Sequence, residues 1–126
     1  MLVKSIMKRN LVTVKKENTI EDALNLMIGN KINGTPVVDE ENNLKGMIVK
    51  ADIYRFLMDP GHYLSCPVEW VMTKNVVTGS QDENIVGLAK RLREKNIITI
   101  PIIEDNKVIG VVSIEDIVDY LIENIM

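Results

Sequence analysis

The chain contains the same sequence plan twice, and that duplication limits what it can fold into more than any other feature. Ile6-Met7-Lys8-Arg9-Asn10-Leu11-Val12-Thr13 is matched by Val71-Met72-Thr73-Lys74-Asn75-Val76-Val77-Thr78, and Thr35-Pro36-Val37-Val38 by Ile100-Pro101-Ile102-Ile103. Met72 lies 65 positions after Met7 and Pro101 lies 65 after Pro36, whereas Gly110 and Asp116 each lie 64 after Gly46 and Asp52. One residue has therefore dropped out of the turn between two strands, Glu40 to Asn43 against Glu104 to Asn106, where a deletion disturbs least. In 126 residues, two units of roughly 55 to 60 residues each bury too little surface to be comfortable alone, so they are expected to share a core.

Periodicity assigns the elements of each unit. Val3 to Met7 reads as a short helical entry and Leu11 to Val14 as a strand. Thr19-x-x-Asp22 has the spacing of a capping box, and Ile20, Ala23, Leu24, Met27 and Ile28 form one apolar helix stripe that Gly29-Asn30 would close. Asn33-Gly34 offers a turn. Pro36 to Val38 and Leu44 to Val49 read as antiparallel strands, followed by a helix from Lys50 to about Met58, stopped by Asp59-Pro60-Gly61. In the second copy Val68 to Met72 is the entry and Val76 to Thr78 the strand. Asn84 caps a helix carrying Ile85, Leu88, Ala89 and Leu92; Ile100 to Ile103 and Val108 to Val112 form the hairpin, and Glu115 to Asn124 the last helix. The pattern is β-α-β-β-α twice, an α+β class, with repeats at 1–58 and 68–126 and a crossover at 59–67.

The most informative stretch is Gly110-Val111-Val112-Ser113-Ile114-Glu115-Asp116, a strand that runs into a helix. Ser113 and Asp116 have capping-box spacing, and on their own they need be nothing more. The same stretch recurs as Gly46-Met47-Ile48-Val49-Lys50-Ala51-Asp52, with Val49 where the hydroxyl would stand. Taken together, the Met7 and Met72 openings, the Pro36 and Pro101 strands and the Gly-x-x-Ser/Thr-x-x-Asp element resemble the CBS domain. Nearly the whole chain resembles the tandem pair called a Bateman module.

That resemblance implies two units packed sheet to sheet about a pseudo-twofold axis, with one cleft per repeat. It implies a regulatory, non-enzymatic module that binds an adenine nucleotide (AMP, ADP or ATP) or S-adenosylmethionine, requires no cofactor, and signals occupancy to a separate effector protein. A carboxylate in the first turn of a helix can accept from both vicinal hydroxyls of a ribose, and a neighbouring hydroxyl with free N–H groups can serve a phosphate. The implied ligand set is Ser113, Asp116, Thr99, Ile100, Pro101, Val111 and Val112, with Thr78 in the second repeat and Asp52, Gly34, Thr35 and Thr13 in the first. Counting hydroxyls makes the Asp116 cleft the stronger one for a nucleotide. A homodimer is expected through helix faces such as Leu57-Met58 and Tyr120-Leu121. The competing reading is a dimerising interaction scaffold in which Ser113 and Asp116 only cap a helix.

Composition narrows the classes further. A net charge of −3 with signs mixed along the chain leaves no basic stripe for a nucleic acid backbone. No apolar run approaches the ~18 residues a membrane helix needs, and the first residues lack a signal-peptide core, so a cytoplasmic protein is expected. Cys66 is the only cysteine and His62 the only histidine, which is too little for a metal centre or a nucleophile with its base; both read as loop residues. Trp70 is expected in the core or at a dimer interface.

Overall fold

A computed structural model describes residues 1–125 and has the α+β composition expected. Its elements are a 3-10 turn at Val3–Ser5, α1 (Ile20–Asn30), β1 (Gly34–Val38), β2 (Leu44–Val49), α2 (Lys50–Leu57), a 3-10 turn at Val68–Trp70, α3 (Ile85–Glu94), β3 (Thr99–Glu104), β4 (Lys107–Ser113) and α4 (Ile114–Ile125). Local chemistry explains most of them. Thr19 and Asp22 form the reciprocal cap of α1: the Asp22 N–H donates to the Thr19 hydroxyl at 3.0 Å and the Thr19 N–H to the Asp22 carboxylate at 3.1 Å. In α3 the Asn84 side chain accepts from the Val86 N–H at 2.8 Å. The end of α1 differs from expectation, because Gly29 and Asn30 are still helical and Lys31, at φ 55°, makes the left-handed turn.

Each repeat builds an antiparallel hairpin, β1 on β2 and β3 on β4, and each ladder slips once, between Val37 and Val38 and between Ile102 and Ile103. The residue deleted from the second copy shows in the turns. Asp105 and Asn106, both at positive φ, make a two-residue link, whereas the first hairpin has only Asn42 left-handed. There the Asp39 carboxylate accepts from the Asn43 and Glu41 N–H groups, each at 2.9 Å. These bonds, that from Asn43 first, hold its pKa below the usual carboxylate value.

The strands expected at Leu11–Val14 and Val76–Thr78 are reduced to single parallel bridges, Val14 with Val37 and Gly79 with Ile102. Before each bridge a carbonyl is taken by a side chain instead of a ladder N–H, that of Val12 by the Thr35 hydroxyl and that of Thr78 by Arg91, and after each bridge a turn follows. The Asn18 side chain captures the Lys15 N–H at 2.7 Å, and Glu83 captures the Ser80 N–H at 2.8 Å. Arg91 adds a two-pronged ion pair to Glu83, at 2.8 and 3.2 Å. Burial pushes the Glu83 carboxyl up, but the Arg91 and Ser80 donors outweigh it and the net shift is downward.

The compact units of the fold are not the sequence repeats. One consists of residues 1–11 with 77–126, the other of residues 12–76. Each repeat thus gives its opening segment to the other repeat's hairpin. Lys8 bridges Val111, with N–H···O distances of 2.9 and 3.0 Å, and Thr73 bridges Met47 at 2.8 and 2.9 Å. The glycines of the repeated element make this possible. A Cβ on Gly46 would lie 2.8 Å from the Met72 sulfur and 2.9 Å from the Thr73 carbonyl oxygen, and one on Gly110 would lie 2.9 Å from the Met7 sulfur and 3.1 Å from the Lys8 carbonyl oxygen. The Met7 and Met72 openings are therefore the residues that sit over Gly110 and Gly46.

Each unit has its own core. Val14, Ile20, Ala23, Met27, Val37, Ile48, Ile53 and Val68 cluster in one, and Val3, Met7, Leu88, Leu92, Ile100, Ile102 and Val112 in the other. Of the second entry turn it is Val68 that is buried. Trp70 is 62% exposed, so the core placement expected for it does not hold: the 3-10 turn points its first residue inward and its last outward.

Candidate functional site

The expected site residues gather where each hairpin runs into its helix. In the second repeat Thr99 pairs with Ser113, Ile100 with Val112 and Pro101 with Val111. Thr99, Val111 and Ser113 are half-buried, whereas Ile100 and Val112 are fully buried, with side chains in the apolar core beside Leu88 and Leu92. α4 then begins with its first N–H, that of Ile114, donating to the Ile98 carbonyl at 2.9 Å.

Ser113 and Asp116 form the reciprocal cap that their spacing allows. The Asp116 N–H donates to the Ser113 hydroxyl oxygen at 3.2 Å and the Ser113 N–H to Asp116 Oδ2 at 2.9 Å. The Asp116 side chain is only 9% exposed, and its other oxygen, Oδ1, lies 3.7 Å from Lys8 Nζ. A buried carboxylate thus uses one oxygen on the backbone and faces an exposed ammonium with the other, on which acceptor capacity remains. Lys8 was not among the expected site residues. It stands 108 positions before Asp116, and only the exchange of the opening segment brings it there.

The first repeat is built differently at the same place. Gly34 pairs with Val49, and the Lys50 N–H donates to the Asn33 carbonyl at 2.9 Å, as Ile114 does to Ile98. No side chain caps α2, since Val49 has no acceptor. Asp52 is ion-paired with Arg55 one turn along its own helix and its side chain is 30% exposed. An (i, i+3) spacing could have revealed that pair from sequence. Thr35 is wholly buried and its hydroxyl donates to the Val12 carbonyl, so it holds the start of β1 to the incoming segment. Thr13 and Thr78 are half-buried beside the bridge residues Val14 and Gly79, and the Thr78 carbonyl accepts from Arg91 at 3.1 Å. The structure brings Ser113, Asp116 and Thr99 together in one unit and Asp52 and Gly34 in the other; the buried Thr35 keeps its hydroxyl within the fold.

His62 stacks on Phe56, ring centroids 3.9 Å apart, and its Nδ1 lies 2.8 Å from the Phe56 carbonyl oxygen. Cys66 is buried, and its carbonyl accepts from the Ile20 N–H at 2.9 Å. Both serve the crossover. Among the described residues, no cluster of histidine, cysteine and acidic side chains is placed to hold a metal ion. Among them, also, no helix is long and apolar enough to cross a membrane.

Comparison with known proteins agrees with this organisation. The CBS domain family model matches residues 3–59 and again residues 68–123. The crystal structure of the CBS domain pair of protein MJ0100, solved in complex with 5′-methylthioadenosine and S-adenosyl-L-methionine, is 31% identical with a TM-score of 0.90, and the match covers 98% of this chain and 97% of that one. The CBS-domain-containing protein ATU1752 from Agrobacterium tumefaciens is 25% identical with a TM-score of 0.87, over 95% of this chain and 98% of the other. A homoserine O-acetyltransferase of Methanococcus vannielii is 34% identical over 117 residues, which is 92% of this chain but 24% of that protein. This chain spans about a quarter of the length of such curated enzymes that it matches.

Proposed function

The chain belongs to the CBS domain family and carries two such domains in tandem, and on that premise we propose that it is a non-enzymatic sensing module for an adenosine-containing small molecule. The ligand would lie at the start of α4, with Asp116 accepting from the ribose hydroxyls and Thr99, Val111 and main-chain groups of β3 and β4 beside the base. The observation that supports this reading most directly is the Asp116 carboxylate. It is nine-tenths buried and already satisfied on one oxygen, and among the described residues its other oxygen meets only the exposed ammonium of Lys8. The bound methylthioadenosine and S-adenosylmethionine of the similar MJ0100 pair favour the same ligand class.

A thermal-shift panel of adenosine, AMP, ATP, 5′-methylthioadenosine and S-adenosylmethionine tests it. A ligand at ~100 times its dissociation constant adds about 2.7 kcal/mol of stability. Asp116→Ala should remove that gain. A scaffold without a ligand is the second reading, favoured by the completed cap at Ser113 and Asp116; on that reading no compound shifts the transition, and Asp116→Ala only lowers stability by ~1 kcal/mol.

Signalling would pass to a separate effector protein, with the chain acting as a homodimer in the cytoplasm and without contact with nucleic acid or membrane. Support for the dimer comes from α4, which buries no residue and exposes Val118, Leu121, Ile122 and Ile125, and from Met58 at the end of α2, which is 81% exposed. Light scattering should give twice 14.2 kDa, and Leu121→Asp should return the monomer. A wild-type mass of one chain at micromolar concentration would exclude the dimer.

A further inference from the structure

The two repeats leave the same helix face uncovered. Under the shift of 64, Tyr54 corresponds to Val118, Leu57 to Leu121 and Met58 to Ile122. Tyr54, Met58, Val118, Leu121 and Ile122 are exposed, and Leu57 is half-buried. Each set follows i, i+3, i+4 and so forms one apolar stripe on the outer side of its helix. Beside it lies the residue that holds the helix to its own unit: Ile53 of α2 is wholly buried, and its counterpart Ile117 of α4 packs on the other core. One exposed apolar side chain needs no explanation, but three at matched positions in both copies make a patch of the kind that binds another protein.

The charges that border the two stripes are opposite. α4 carries Glu115, Asp116, Asp119 and Glu123 and no lysine or arginine. Lys8 pairs with Asp116, whereas Glu115, Asp119 and Glu123 are exposed and make no ion pair among the described residues. Those three recur every fourth residue and run alongside Val118 and Ile122. On α2, Arg55 occupies the position equivalent to Asp119, and Lys50 stands one turn before Tyr54. Lys50 makes no ion pair among the described residues, and Arg55, though bonded to Asp52, keeps further N–H donors on an exposed guanidinium.

Resting on the dimer reading above, we propose that the dimer is crossed: the stripe of α4 lies on α2 of a second copy, and that copy's α4 lies on α2 of the first. With α4 on α4, the apolar seam would be edged by carboxylates from both sides, and with α2 on α2 cation would face cation. Like charges across a seam cost affinity. Crossing sets the acidic edge of α4 against Lys50 and Arg55, and a twofold axis makes that contact twice and closes the pair. Arg55 and Asp119, at one equivalent position in the two repeats, are the residues that choose the partner helix.

Sedimentation equilibrium on the full chain tests the crossing, with Arg55→Glu, Asp119→Arg and the two combined. Each single substitution should weaken the dimer by about tenfold or more, and the combination, which exchanges the charges, should restore it. Lys50→Glu leaves the Asp52 pair in place and should weaken the dimer too, so the test stays informative should Arg55→Glu disturb α2. Added salt should weaken the wild-type dimer, because it screens opposite charges. A dimer that tightens with salt and with Asp119→Arg would show α4 on α4; it would overturn the crossing and leave the dimer intact. A double variant no tighter than the weaker single variant would overturn the crossing as well, as would a wild-type mass that grows beyond two chains. A wild-type mass of one chain at micromolar concentration would overturn the dimer reading itself, and the crossing with it.

Discussion

Gly46→Ala adds one methyl group at the place where the chain crosses its own hairpin. The new Cβ would stand 2.8 Å from the Met72 sulfur and 2.9 Å from the Thr73 carbonyl oxygen. The sulfur ends a flexible side chain and can swing away. The carbonyl cannot, because Thr73 is held to Met47 by two backbone hydrogen bonds at 2.8 and 2.9 Å, so relief requires the bridge to open. Overpacking typically costs about 1–3 kcal/mol and a lost hydrogen bond about 1, while alanine recovers about 0.4–1 through the unfolded chain, so the net destabilisation should be about 1–3.5 kcal/mol. For a chain of this size that lowers the thermal midpoint by roughly 4–14 °C. Gly110→Ala should have the same sign and a smaller effect, since its backbone contact, to the Lys8 carbonyl, is 3.1 Å. Gly29→Ala in α1 supplies the contrast. Nothing lies within 4 Å of its Cβ position, so a helical alanine there should stabilise by about 0.5–1 kcal/mol. Calorimetric melts of the three variants give the order, and a Gly46→Ala protein as stable as wild type would show that the glycine is not there to admit the crossing segment.

Lys31→Gly should stabilise by about 0.5 kcal/mol, since the residue sits at φ 55° where a side chain is strained; a lowered melting point would mean that Lys31 makes a contact worth more than that strain. Ser113→Ala should lower stability by about 1 kcal/mol, as should Thr19→Ala, because each removes a cap acceptor at 3.2 or 3.0 Å; denaturant melts that find Ser113→Ala neutral would refute the cap. Glu83 has a lowered pKa in the folded chain, so its contribution is fully present above the ordinary glutamate value and is lost as pH falls through the folded one. The stability gap between wild type and Glu83→Gln should therefore be flat above about pH 5 and narrow as pH falls below the ordinary glutamate value; a gap that widens on acidification would contradict the Arg91 pairing.

The features that were legible beforehand depend on residues a few positions apart. The Thr19 box, the Asn84 cap, both hairpins and the shortened second turn follow from local hydrogen bonding and alternation, and the duplication checks each reading against a second copy. The tandem CBS pair was legible for the same reason, because its markers lie in fixed local spacings. Tertiary structure alone decided where the opening segments go. Met7 lies over Gly110, 103 positions away, and Lys8 reaches Asp116, 108 away, so no periodicity could reveal either the need for glycine or the counter-ion of the candidate carboxylate. The same holds for the first strand of each repeat. Leu11–Val14 has the β-branched composition of a strand, but the Val12 carbonyl is taken by the distant Thr35 hydroxyl and only Val14 makes a bridge. Trp70 faces outward because a 3-10 turn buries only Val68. Local patterns specify which groups are available; which distant group each one meets is settled by packing, since only the folded chain brings such residues within a few ångströms of one another.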